Sequence, residues 1–201
     1  MELAATLGRA LGFSFAAGIN LYATVALLGL ASRFEWVALP DSLRIFDNDL
    51  VIGVALTLYV VEFAADKIPW VDSMWDTVHT FIRPVGGALI AVAALGDASP
   101  GVEGLVALLG GSVAAGSHLT KAGARVAANT SPEPVSNWIL SLGEDLFVVG
   151  LGYLALAYPV AALGVVGVGV VLIGVTFGAI ARLAMRRLFK RSRKADPTNV
   201  L

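Results

Sequence analysis

The sequence predicts an all-α integral membrane protein of about six transmembrane or re-entrant helices in a three-plus-three inverted repeat. Three observations predict it. Of the 201 residues, 57% are hydrophobic and only 14% charged, against roughly 25% charged in an ordinary soluble domain, so the chain has too little polar surface to coat a water-facing globule. Its apolar residues come in long runs bounded by charges, Pro or Gly. A short Ser/Ala/Gly motif also recurs once, at the head of each half.

Six apolar segments follow one another. The first runs from about Leu3 to Ala31 and is interrupted at Ala16-Ala17-Gly18-Ile19-Asn20. Its small-residue stretch resembles a signal peptide, but Glu2 offsets Arg9 and the run continues to Ala31, which reads as an uncleaved first span. The second covers Leu50 to Ala65, and the third Pro84 to Leu95 behind a charged amphipathic stretch. A bilayer core takes about 20 helical residues, so these two must borrow polar flanks, kink or re-enter. The fourth runs from Val102 to about Leu119 with Gly110, Gly111 and Gly116, the fifth from about Trp138 to Tyr158, and the sixth from Pro159 to about Met185. Residues 1–190 form one membrane domain, with halves of about 1–97 and 98–190, and 191–201 a basic cytoplasmic tail.

With six crossings and both termini in the cytoplasm, the inside holds Arg9, Lys67, Arg83, Lys121, Arg125 and the seven basic residues between Arg182 and Lys194, and the outside Arg33 and Arg44. This satisfies the positive-inside rule. A nucleic-acid partner is not expected, because no folded soluble domain presents a basic face. With no Cys and two His, disulfides, thiolate zinc sites and multi-histidine metal sites are excluded, and no cofactor is expected.

Leu11 to Leu21 set over Leu109 to Leu119 gives seven identities in eleven, including Ser14/Ser112 and an aligned Ala-Ala-Gly. Three crossings between the copies would invert the second relative to the first, as in transporters whose site lies where Gly-interrupted helices meet at mid-membrane. Each copy places a polar side chain two residues after its glycine, so Gly18, Asn20, Gly116 and His118 form one candidate site. The alternative is a small-residue patch that lets two helices approach, with Asn and His hydrogen-bonding across it.

The stretch Glu62 to Pro84 carries the second candidate set. On a helix, Asp72, Asp76, His79 and Arg83 share one face and Val71, Met74, Trp75, Val78 and Ile82 the other; Glu62 and Asp66 lie one turn apart. An ionised group at the centre of a lipid-facing helix costs about 2.5–3.5 kcal/mol, which excludes lipid exposure at depth. Either this helix lies in the cytoplasmic interface, or it packs into the bundle with its stripe on a polar cavity. In a cavity, His79 suits a proton relay or an anionic group, and Glu62 and Asp66 a cation or proton. A divalent metal on Asp72, Asp76 and His79 would make a membrane enzyme or lipid-phosphate handler of it. Lys121 and Arg125 could hold lipid phosphate, but read first as positive-inside charge. Glu144 and Asp145, inside the fifth apolar stretch, need partners, for which Lys121, Arg125 and Arg9 are candidates. Gly174 and Gly178 form a close-packing motif within the bundle or across a homo-oligomer.

The Ala-Ala-Gly-Ile-Asn-Leu-Tyr start, and the run Glu62 to Pro84 with its Ala-Asp-Lys-Ile-Pro-Trp-Val-Asp and His-Thr-Phe-Ile-Arg-Pro strings, resemble a family of small bacterial integral membrane proteins known only as a domain of unknown function. The likeness covers about Leu11 to the tail. It implies a bacterial inner-membrane protein and carries over no activity, substrate or cofactor. No Ser-His-Asp order, P-loop, Rossmann glycine pattern or HExxH occurs. The expected function is therefore a transporter or channel for a small polar or ionic solute in the lipid bilayer, with a membrane enzyme or a non-catalytic scaffold as alternatives.

Overall fold

The computed structural model describes residues 2–37, 39–129 and 135–195, apart from the side chains of 184 and 187–195. Within them the elements are α1 (Glu2–Ile19), α2 (Leu21–Arg33), a 3-10 turn (Asp41–Phe46), α3 (Asp49–Ala65), α4 (Pro69–Leu95), α5 (Pro100–Asn129), α6 (Val135–Ala157) and α7 (Pro159–Ala195), with no strand among the described residues. Four helices, α4 to α7, are long and apolar enough to cross a membrane. At about 1.5 Å per residue, the 17 residues of α3 reach about 25 Å.

Local chemistry sets these boundaries. Proline opens α4, α5 and α7, where the missing N–H removes a donor the helix would leave unpaired. Asn48 caps α3, its side-chain oxygen accepting from Leu50 and Val51 N–H at 2.9 and 3.3 Å. Gly96 ends α4 with φ +76°, a conformation that suits a residue without Cβ. Pro84 lies inside α4 and leaves the Thr80 carbonyl without a helical donor.

Side-chain pairings fix the helix directions. Along α6, Gly12 packs at Ala155 and Asn20 at Asp145, so α1 runs antiparallel to it. Leu27 packs at Gly152, so α2 runs parallel to α6. The chain therefore reverses at Asn20, and α1 and α2 form a hairpin whose tip lies part-way along the bundle. From there α3 returns past α2, Ile52 packing at Gly29, and α4 to α7 alternate.

Two expectations fail here. The second copy of the repeat is not a broken helix, since α5 runs unbroken through Gly116 and His118. Asn20 adopts extended backbone and caps α2 with its own side chain, whereas the imidazole of His118 is held by side chains of α4. The two copies are also not inverted. The reversal at Asn20 adds a turn, so α1 and α5 run the same way: Ser14 lies at the level of Gly110 and Ile19 at that of Lys121. The repeat acts as the small-residue patch. A Cβ on Gly18 would collide with Ala114 and Ser117, on Gly87 with Ala114, and on Gly110 with Ala91. Gly116 faces Ile173 of α7 instead.

The described ends of the chain, expected on one side, lie apart. Gly8 touches Pro159, the first residue of α7, so the start of α1 and the end of the 37-residue α7 lie at opposite ends of the bundle. The first part of the expected tail, 191–195, continues α7, and 196–201 lie outside the described residues, as does the loop 130–134.

The core divides along the bundle. At the open end of the hairpin it is apolar, with Phe13, Leu28, Leu43, Ile90 and Leu151 buried. Beyond the tip it is polar. Outside, large apolar side chains such as Leu50, Val60, Phe81, Leu89, Leu105 and Leu146 are exposed, a surface suited to lipid. Gly174 and Gly178 also face outward, with nothing within 4 Å of a Cβ placed on either.

Candidate functional site

The hairpin tip puts irregular backbone inside the bundle, where each polar group needs a partner. Asn20 accepts from Ala23 N–H at 2.9 Å through Oδ1 and donates to Asp145 Oδ1 at 3.2 Å through Nδ2. The freed carbonyls at the end of α1 are met by cations: Arg83 Nη1 donates to Gly18 O at 3.3 Å and Lys121 Nζ to Ile19 O at 3.1 Å. A helix C-terminus carries partial negative charge, which favours cations there.

Four helices supply the polar core, each through one stripe at intervals of three or four residues: Glu62 from α3 with Asp66 at its C-cap, Asp72, Asp76, His79 and Arg83 from α4, His118, Lys121, Arg125 and Asn129 from α5, and Asn137, Ser141 and Glu144 from α6. That spacing keeps each set on one helix face. Glu62, Asp72, Arg83, His118 and Ser141 are 0% exposed, and Asp76 is 6% exposed. The stripe on α4 thus faces the bundle, and Met74, Val78 and Ile82 on its other side are exposed. This overturns the interfacial alternative.

The charges alternate away from the tip. Arg83 Nη2 and Lys121 Nζ meet at Glu62 Oε1, at 2.8 and 3.2 Å. Lys121 then lies 3.5 Å from both Asp66 and Glu144. Arg125 spans the same two acids, reaching Asp66 Oδ2 at 2.8 Å and both oxygens of Glu144, at 3.1 and 2.5 Å, in the fork geometry that guanidinium offers a carboxylate. Below it, Asn129 donates to Asp72 Oδ2 at 3.2 Å and accepts from Asn137 at 2.7 Å. In the turn between α3 and α4, Lys67 lies 3.1 Å over the Phe63 ring and donates to Ser141 Oγ at 3.2 Å; burial there pushes its ammonium below the usual lysine range.

Fixed donors and acceptors assign both imidazoles. Arg83 has only donors, so His118 Nδ1, 2.7 Å from Arg83 Nη1, presents its lone pair, and Nε2–H faces Thr80 Oγ1 at 3.0 Å. His79 Nδ1 is 2.7 Å from the Trp75 carbonyl and must donate to it, which leaves Nε2 to accept from the Tyr22 hydroxyl at 2.9 Å. His118 is therefore neutral while Arg83 holds it.

Of the expected site residues, Gly18, Asn20, Glu62, Asp66, Asp72, Asp76, His79, Arg83 and His118 come together in this core, and Gly116 does not. Lys121 and Arg125 are its central cations rather than loop charge. Glu144 finds them as partners, and Asp145 finds Asn20. Tyr22, Thr80, Asn129, Asn137 and Ser141 join them without being expected from the sequence, where the four-residue spacing of Asn137 and Ser141 in a largely apolar segment is the one available signal. Among the described residues, no group of three or more His, Asp or Glu is disposed to hold a metal ion, and His79 faces Tyr22 and Trp75 rather than Asp72. At the open end of the hairpin, Ser32, Arg33, Glu35, Arg44 and Asp47 line a polar cleft of about 490 Å³.

Neither a curated protein nor a solved structure matches the chain. A family model described as a domain of unknown function (DUF4126) matches residues 7–178, which takes in nearly all of the hairpin, every side chain of the polar core and α7 as far as Gly178. The protein is a multi-helical, membrane-type member of that DUF4126 family.

Proposed function

We propose that the protein is a transporter or channel for a small polar or ionic solute, with a route that passes the hairpin tip and follows the charge ladder of α3 to α6. The observation that carries this reading is the ladder itself, a buried array of acids and bases inside an otherwise apolar bundle. Ionisable groups at membrane depth are expensive and mark ion and solute pathways, and non-helical backbone at that depth occurs where it is enclosed by protein or lines a cavity. A half-helix ending at mid-bundle, with its carbonyls held by side chains instead of a following helical turn, fits a gate. The polar cleft at the open end of the hairpin is the opposite mouth of the route.

The location that goes with this reading is a bacterial inner membrane. With Arg83, Lys121 and Arg125 inside the bundle, the loop charges that remain are Lys67 and the basic end of α7 on one side and Arg9, Arg33 and Arg44 on the other. The positive-inside rule then puts the end of α7 in the cytoplasm and the start of α1 outside. The outward-facing Gly174 and Gly178 suit a homo-oligomer contact.

The test is uptake into proteoliposomes screened over ions and small metabolites, comparing the wild type with His79→Ala and Glu62→Gln. Flux of at least one solute that both variants abolish at equal reconstitution is expected. Absence of flux for every solute tested would overturn the transport reading in favour of a membrane enzyme or scaffold.

A further inference from the structure

The ladder does not balance in charge. Arg83, Lys121 and Arg125 are matched by the three carboxylates they touch most closely, Glu62, Asp66 and Glu144. Asp72, Asp76 and Asp145 are left over, with Lys67 beside Asp145 as a further cation. Surplus carboxylates in a buried, low-dielectric site cannot all remain ionised, because an uncompensated charge there costs several kcal/mol and the group takes up a proton or a cation instead.

The three differ in what supports their charge. Asp72 accepts from Asn129 at 3.2 Å with Arg125 4.0 Å away, and Asp145 accepts from Asn20 at 3.2 Å beside Lys67, so each of these two has both a donor and a cation of its own. Neither oxygen of Asp76 accepts a hydrogen bond. Its Oδ1 lies 3.3 Å from Arg83 Nη1, yet the two N–H groups of that nitrogen already point to His118 Nδ1 and Gly18 O. The groups facing Asp76 are Asp72 and Arg83 on its own helix, Glu62 and Asp66 from α3, and His118 and Lys121 from α5. Glu62 and Asp66 are ion-paired, and His118 cannot take a proton at Nδ1 without evicting Arg83.

We propose that Asp76 holds the exchangeable proton of this network, and that losing it frees the hairpin tip. With the carboxyl neutral, Arg83 stays on Gly18 O and His118. When the O–H bond breaks and the proton leaves to water, an acid–base step with no redox change, the new carboxylate competes for Arg83 Nη1 and draws it from the Gly18 carbonyl. This deepens the transport reading and rests on it for the coupling, since it names a proton as the ion that moves the gate.

Infrared difference spectroscopy on the full chain in liposomes, titrated across neutral pH, tests it. The C=O stretch of a buried protonated carboxyl, sensitive to exchange into heavy water, is expected in the wild type and lost on titration to alkaline pH. Asp76→Asn should abolish it, Asp76→Glu should restore it at a shifted position, and Asp72→Asn should retain it. A wild type without the band, or a band that survives Asp76→Asn, overturns the proposal even where solute flux is found. Loss of the band on adding sodium ions at fixed pH also overturns it, by making the site one for a metal cation. If no solute moves in the uptake screen but the band follows Asp76 as described, the proton site stands and the transport reading falls.

Discussion

Replacing Arg125 with Met tests whether the ladder is a buried structure or a loose set of interfacial charges. Met keeps much of the length and apolar volume of the arginine stem while removing its charge and its fork. The arginine donates five hydrogen bonds, two to Glu144, two to Asp66 and one to the Asn137 carbonyl, and so ties the end of α3 and the start of α6 to α5. Its loss leaves Asp66 and Glu144 to share Lys121, which is 3.5 Å from each. Breaking a buried pair by removing one partner destabilises by about 3–5 kcal/mol, whereas exposed pairs are worth only about 0–1 kcal/mol. At about 2–4 °C per kcal/mol for a chain of this size, the thermal midpoint in detergent should fall by roughly 6–20 °C. Combining Arg125→Met with Glu144→Gln should recover part of that loss, because one uncompensated acid is gone; the non-additivity between contacting residues is about 0.5–3 kcal/mol. A single-variant loss below about 1 kcal/mol, with an additive double variant, would refute the buried ladder.

Three further outcomes are expected. Gly18→Val should prevent recovery of monodisperse protein on size exclusion, because its side chain meets Ala114 and Ser117, while Gly116→Ala at the matching position of the repeat should be tolerated with Ile173 3.7 Å away; equal behaviour of the two would contradict the packing of α1 on α5. Asn20→Ala removes the cap of α2 and should lower stability in chemical denaturation by about 1 kcal/mol, while Thr6→Ala, which loses only an exposed local bond, should leave it unchanged. Impermeant thiol reagents applied to intact cells should label a single cysteine placed at Glu2 and not one placed near the end of α7; labelling of both, or of neither, would refute the hairpin topology.

Much of the site was legible because burying charge is costly and the sequence shows where it happens. The four-residue spacing of Asp72, Asp76, His79 and Arg83 marked one helix face, and Glu144 inside an apolar run announced that it needed a cation. What was not legible depended on a single backbone reversal. Counting apolar runs makes Leu3 to Ala31 one crossing, but one extended residue at Asn20 turns it into a hairpin, which changes the side of every segment before it and makes the two repeats parallel. Nothing local separates Gly18-Ile19-Asn20 from Gly116-Ser117-His118 except whether the polar side chain is free to cap the next helix, and that is decided by partners on α4. In the sequence Lys121 and Arg125 look like loop charge for the same reason: the fourth apolar run ends before them, whereas α5 continues to Asn129 with its basic face turned inward.

The carbonyls at the hairpin tip also bear on how the protein is made. Gly18 and Ile19 are the first part of the site to leave the ribosome, but their donors, Arg83 and Lys121, follow 65 and 102 residues later. Until then these carbonyls have no protein partner, and in hydrocarbon an unsatisfied backbone group costs several kcal/mol. The hairpin is therefore expected to settle into its final depth only after α5 has been synthesised, which would make α1 and α2 among the last of these helices to be locked in place.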